Sequence, residues 1–104
     1  MSPTDESTET CAARLRVLAD PTRLAVVGQL LAGPRHVSEI NAALGLEQSL
    51  LSHHLKVLRD AALVVAERDG KQVLYRLAPD VAGRPDGATI NIGCCAIVFK
   101  EEPT

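Results

Sequence analysis

Aromatic residues are almost missing from this 104-residue chain: Tyr75 and Phe99 are the only two, and there is no tryptophan. A core built without them is aliphatic, and binding of single-stranded nucleic acid, which rests on aromatic stacking platforms, is disfavoured. No apolar run approaches the ~20 residues that cross a bilayer, so no membrane partner is expected. Cysteine is scarce too, one at position 11 and an adjacent pair at 94 and 95, too few and too clustered for a disulfide framework. In a reducing compartment such residues are free thiols, ligands or redox-active groups. Met1 to Glu6 is polar and acidic, unlike a signal peptide, so a cytoplasmic location is expected. No nucleophile–base pairing, phosphate loop or paired carboxylates stands out, and no enzyme is expected.

What is present fits one globular domain: 46% apolar and 23% charged residues. The net charge of -2 conceals an uneven distribution. Asp5, Glu6 and Glu9 sit at one end, Glu101 and Glu102 at the other, and residues 12–84 carry a balance of +3. An acidic-ended chain with a mildly basic middle permits phosphate contacts.

Residues 1–6 are expected to form a disordered tail. A first helix is predicted from a Ser7 or Thr8 cap to about Ala19, with Cys11, Leu15 and Leu18 on one stripe. Asp20-Pro21 restarts the chain as cap and first-turn proline. Leu24, Val27, Leu30 and Leu31 mark the inner face of a second helix, which Gly33-Pro34 stops. A third helix is predicted over Val37 to Leu44, with Ile40 and Leu44 inward and Gly45 as its stop. A fourth runs from about Gln48 to Ala62. Two helices joined by a short glycine-containing turn make a helix-turn-helix.

The fourth helix has two chemically different arcs at roughly 100° per residue. Leu50, Leu51, Leu55, Val57 and Leu58 gather on one; Gln48, Ser49, Ser52, His53, Lys56 and Arg59 gather on the other, without an acid. That second arc suits a DNA groove. His53 lies on it and is expected to face DNA, whereas His54 falls near the apolar edge as a partly buried, satisfied histidine. His36 reads as a helix-start residue, and Arg23 as a structural or phosphate-facing cation. Beyond this helix the period switches from 3.6 to 2: Val64 to Arg68 and Gln72 to Leu77 flank Asp69-Gly70-Lys71, a strong hairpin signal. Helices ending in a basic-tipped hairpin make a winged helix-turn-helix spanning residues 7–77.

Pro79, Gly83, Pro85 and Gly87 make residues 78–88 a loop. Residues 89–99 read as one strand rich in β-branched residues, followed by a tail at 100–104. On that strand Ile90, Ile92, Cys94, Ala96 and Val98 would point one way, and Cys95, Ile97 and Phe99 the other. A lone strand needs a partner, either the subunit's own sheet or the same strand of a second subunit.

Three segments carry a family resemblance. Leu18-Ala19-Asp20-Pro21-Thr22-Arg23-Leu24, then Ser52-His53-His54-Leu55-Lys56-Val57-Leu58-Arg59-Asp60-Ala61, then Arg68-Asp69-Gly70-Lys71 closely resemble the ArsR/SmtB family of bacterial transcriptional repressors. The resemblance covers about residues 11–77. It implies a mainly α fold with a β-hairpin wing (α+β), and a homodimer binding palindromic double-stranded operator DNA and released by a metal, metalloid or redox signal. It further implies that Gln48, Ser49, Ser52, His53 and Lys56 face the groove while Arg68, Lys71 and Gln72 set the wing on phosphates. The chain departs from the family at several places. Ala62 stands where glycine is usual, His36 and Ser38 replace a frequent Cys-x-Cys pair, and a strand replaces the usual final helix with its Asp and His ligands.

The remaining soft ligands are Cys94 and Cys95, with Cys11. Trivalent arsenic or antimony, or another thiophilic ion, takes two or three thiolates, and some arsenic-sensing relatives use adjacent C-terminal cysteines. Neighbours on a strand face opposite ways, so both thiols reach one ion only if the backbone bends, which Gly93 permits. The alternatives are small hydrophobes in a buried strand, a thiol–disulfide switch, a regulator without a ligand, and a winged-helix protein-interaction module.

Overall fold

The computed structural model describes residues 6–83 and 88–100. Four helices come first, α1 (Glu6–Leu18), α2 (Pro21–Leu31), α3 (Val37–Leu44) and α4 (Gln48–Asp60), with a two-residue strand β1 (Arg35–His36) between α2 and α3. Strands β2 (Val64–Asp69) and β3 (Gln72–Leu77) form the wing, and β4 (Thr89–Asn91) and β5 (Ala96–Val98) a second, smaller hairpin. The larger sheet is antiparallel in the order β1-β3-β2, and β4 pairs with β5 by itself. No helix among the described residues is long and apolar enough to cross a membrane.

The boundary signals at Asp20-Pro21, Gly45 and Asp69-Gly70 act as expected. Asp20 accepts the Arg23 backbone N–H at 3.0 Å, and Pro21 opens α2. Gly45 ends α3 in the left-handed region (φ 64°), its N–H bonded to Asn41 O at 2.7 Å. Asn41 then donates its side-chain N–H to Leu46 O at 2.6 Å, fixing the turn before α4. In the wing, Asp69 pairs with Gln72 around Gly70-Lys71. Gly70 has φ 65°, as the first central position of a two-residue hairpin turn requires.

The core is aliphatic: Val26, Val27, Ile40, Leu51, Leu55 and Leu58 are each at most 1% exposed. Each contributes about 1.5–3 kcal/mol through burial. Together they seat α4 against α2 and β2 and leave its opposite face to solvent.

Several expectations are corrected. Leu15 is 42% exposed; the inner stripe of α1 is Cys11, Arg14 and Leu18, because buried carbonyl acceptors hold the Arg14 guanidinium inside. On α2, Leu24 is 37% exposed and Val26 takes its place inward. Strand β1 is too short to leave a periodic signal in the sequence; its two residues pair with Tyr75 and Leu74 of β3. Most consequential, the single strand expected over 89–99 folds back on itself. Asn91 pairs with Ala96, and the Ile92 N–H reaches Cys95 O at 3.0 Å across a tight turn. Gly93 (φ 110°) makes that reversal possible. The expected inward row is therefore broken: Ile90 and Ile92 are buried, Val98 is 58% exposed, and Ile97 and Phe99 pack against the core from the returning arm. The hairpin's partner is its own chain, through Asn91 N–H to Val81 O (2.9 Å) and an Ala82–Ile90 bridge. Glu6, expected in the 1–6 tail, instead opens α1; residues 1–5, residues 101–104 of the tail expected at 100–104, and residues 84–87 of the loop expected at 78–88 lie outside the described residues.

Candidate nucleic-acid interface and thiol cluster

The inward set Leu51, His54, Leu55 and Leu58 is spaced so that the remaining positions of α4 face outward. Gln48, Ser49, Ser52, His53, Lys56 and Arg59 are all exposed. An open groove of about 1010 Å³ runs between this helix, α3 and the wing. Gln48, Ser52, Lys56 and Arg59 line one wall, and Lys71 and Gln72 the other. Ser49 and His53 stand outside that groove, as does Arg68, exposed on β2. The outward arc is framed by acids at its ends: Glu47 Oε1 accepts the Ser49 hydroxyl at 2.8 Å, and Asp60 Oδ2 holds Lys56 Nζ at 2.9 Å. Lys56 keeps the Asp60 carboxyl below its ordinary range.

The three histidines sit in different surroundings: His53 is exposed on α4, while His36 and His54 are held within the fold. His36 caps α3 in a reciprocal pairing with Glu39, whose Oε1 accepts both the His36 backbone N–H (2.9 Å) and ring Nδ1 (2.8 Å). Its other nitrogen, Nε2, meets Asp69 Oδ2 at the wing tip at 2.7 Å. Asp69 first and Glu39 second push the imidazole pKa up, and the His36 backbone N–H first of all holds Glu39 down. His54 is buried at 8% exposure, and among the described residues its Nδ1 has no hydrogen-bond partner, contrary to the expected satisfied state. Arg23 is structural: its Nε donates to Val17 O at 2.8 Å, satisfying a carbonyl in the last turn of α1.

Cys11 comes together with the adjacent pair Cys94 and Cys95, the first of which lies 83 residues further on in sequence. Cys11 is buried on α1 and joined by a disulfide to Cys94 in the β4–β5 turn, with Cα atoms 5.8 Å apart. The Cys94 backbone N–H also points at Cys11 Sγ, at 3.3 Å. Cys95 is a free, exposed thiol. All three sulfurs lie within 4.8 Å of one another. The conflict between neighbouring residues on one strand vanishes because Cys94 and Cys95 sit in a turn. With bonds of about 2.3 Å to one ion, two sulfurs are at most ~4.6 Å apart, and ~3.8 Å in tetrahedral geometry. To take a thiophilic ion the Cys11–Cys94 disulfide must first be reduced and its two sulfurs part to about 3.8 Å, while Cys95 draws in by up to about 1 Å.

Sequence reasoning missed Arg14. A lone arginine on an apolar stripe reads as a flank residue, and its role depends on carbonyls from residues 61, 62 and 92. Only the tertiary structure brings those together.

Comparison with known proteins agrees with this architecture. A family model described as bacterial regulatory protein, arsR family, matches residues 20–65. The HTH-type transcriptional regulator CmtR of Mycobacterium tuberculosis is 42% identical over 90 residues, covering 86% of this chain and 76% of that protein. The HTH-type transcriptional regulator NmtR of the same species is 46% identical over 66 residues, covering 64% of this chain and 55% of NmtR. Against NmtR the chain thus spans about half of the relative's length. Among solved structures, the homodimeric winged helix-turn-helix DNA-binding domain of a possible ArsR-family transcriptional regulator from Mycobacterium bovis superposes with a TM-score of 0.68. That match has 29% identity and covers 75% of this chain and 72% of that one. These relatives are transcriptional regulators, not enzymes. The chain is a winged helix-turn-helix protein belonging to the ArsR family of bacterial transcriptional regulators.

Proposed function

We propose that this protein is a homodimeric repressor that binds a palindromic operator through α4 and the wing and leaves it when Cys11, Cys94 and Cys95 capture a thiophilic species. The observation that carries the reading is the pairing of an outward polar face on α4 with three sulfurs within 4.8 Å. Gln48, Ser49, Ser52 and His53 would reach base edges in the major groove, and Lys56 the flanking phosphates. Arg68, Lys71 and Gln72 would set the wing on the backbone. In a dimer, two such helices enter successive major grooves about 34 Å apart. A second copy would cover leucines the monomer leaves in water, Leu15 and Leu24 among them.

For the signal, the reduced cluster suits arsenite or antimonite. Each thiol gives its proton to one hydroxide of the metalloid acid. Three sulfur bonds form, three oxygen bonds break, and three waters leave. The disulfide between Cys11 and Cys94 supplies a second chemistry at the same place, oxidation by a two-electron oxidant. Both act on the same two segments, α1 and the β4–β5 turn.

Fluorescence anisotropy on an operator selected from random duplexes tests the reading. Phosphine-reduced protein is titrated with arsenite, zinc and a mild oxidant in turn. Salt-dependent binding that arsenite reverses is the expected result. DNA binding with no response to any of the three leaves a regulator without a thiol signal. No salt-dependent binding points to a protein-interaction module.

A further inference from the structure

Arg14 is a buried cation, 8% exposed, and its guanidinium is held from outside its own helix. Its donors reach out to three other segments. Nε donates to Ala61 O at 3.2 Å and one terminal nitrogen to Ala62 O at 3.3 Å. The other terminal nitrogen donates to Ile92 O at 3.4 Å, and the ion pair with Asp80 spans 3.5 Å. Ala61 and Ala62 are the residues that close α4, where helix carbonyls have no partner of their own and the dipole is negative. Ile92 is the first residue of the thiol turn, and its N–H is bonded to Cys95 O. Cys11 sits one turn before Arg14 on the same inward stripe of α1.

We propose that Arg14 is a positioning residue that couples the thiol cluster to the end of the DNA-reading helix. The proposal rests on the sensing reading above. Two features of the geometry carry it. First, the bonds are long: at 3.3 to 3.4 Å they lie near the limit of a useful hydrogen bond. The rearrangement that three sulfurs need around one ion, with the Cys11 and Cys94 sulfurs parting once reduced and Cys95 drawing in by up to about 1 Å, is therefore enough to break or remake the Ile92 contact. Second, Ala62 is the left-handed residue (φ 58°) that stops α4, its N–H bonded to Arg59 O and the Leu63 N–H to Leu58 O. Arg14 is the side chain on the Ala62 carbonyl. When the turn shifts, the guanidinium is redistributed between Ile92 and the Ala61–Ala62 carbonyls. The C-terminal end of α4 then loses or regains its clamp, and the helix changes its angle in the groove. Lysine cannot replace this function, because one ammonium lacks the planar fork that spans three carbonyls.

The test compares wild type with Arg14→Lys, using arsenite as the probe and phosphine-reduced protein. Operator affinity is measured with and without arsenite, and arsenite binding independently through its sulfur–arsenic ultraviolet absorbance. Wild type should show a coupling factor of about 5–150. The variant should bind arsenite and operator separately, with the factor reduced to within about twofold of one. A residue that merely supports the fold would lower operator affinity equally with and without arsenite, so an unchanged factor overturns the proposal. Hydrogen exchange on the wild type keeps the coupling testable should the variant fail to fold. Arsenite should speed exchange of the Ala61, Ala62 and Leu63 amides by at least about threefold, and unaltered exchange there overturns the coupling. Wild type that keeps its operator in arsenite sinks the sensing reading and the coupling with it. Release in both wild type and variant by the same factor sinks the coupling alone.

Discussion

His36 Nε2 lies 2.7 Å from Asp69 Oδ2 and so ties the start of α3 to the tip of the wing across 33 residues of sequence. With Glu39 on its other nitrogen at 2.8 Å, the ring stands between two carboxylates. The imidazolium is therefore favoured in the folded protein, and folding takes up a proton. The stability this contributes is whole below the ordinary histidine value of 6.5 and is lost as pH rises through the raised folded value. Its lower bound is set by the carboxylates, Glu39 being held under its ordinary 4.5.

Denaturant unfolding of wild type and His36→Gln as a function of pH checks this. The gap between them should be widest between pH ~5 and ~6.5 and should narrow towards pH 8. A gap that grows with pH would contradict the arrangement.

The outward face of α4 and the wing divide the labour on DNA. Ser52→Ala with His53→Ala should weaken binding to the operator by about 10-fold or more while barely changing affinity for unrelated duplex, since base contacts carry specificity. Lys71→Ala should weaken both alike and lower the slope of log affinity against log salt by about 1. Anisotropy titrations at several salt concentrations separate the outcomes. Equal loss on both duplexes for the α4 variant would place its side chains away from the bases.

Ala62 offers a stability prediction. Its φ of 58° costs a residue with a Cβ about 1–2 kcal/mol, and glycine relieves that at an entropic cost of about 0.5–1 kcal/mol. Ala62→Gly should stabilise the protein by about 0.5–1 kcal/mol, read from the midpoint of urea unfolding. A lowered midpoint would show that the left-handed residue is not strained.

The helix-turn-helix and wing were legible because their signals are local. Asp20-Pro21, Gly45 and Asp69-Gly70 each determine a boundary through backbone chemistry within four residues, and the apolar spacing of α4 picks its inner face. The C-terminal hairpin was hidden because its β-branched residues favour an extended chain on either arm. Only Gly93 marks the reversal, and a lone glycine in a strand reads equally as a bulge. The turn brings Cys94 and Cys95 to Cys11, so the cluster was legible in its residue types and not in its geometry. Leu15 and Arg14 exchanged places for a related reason: an arginine goes inside when carbonyls from distant segments await it, and periodicity carries no record of them.

The central claim is that one cluster of three thiols controls one DNA-binding face. Its most direct measurement is operator anisotropy for reduced wild type and for Cys94→Ser/Cys95→Ser, each with and without arsenite. Wild type should lose operator affinity by a factor of about 5–150 on arsenite binding, and the variant should hold its operator unchanged. Equal release from both proteins, or no release from wild type, would contradict the account.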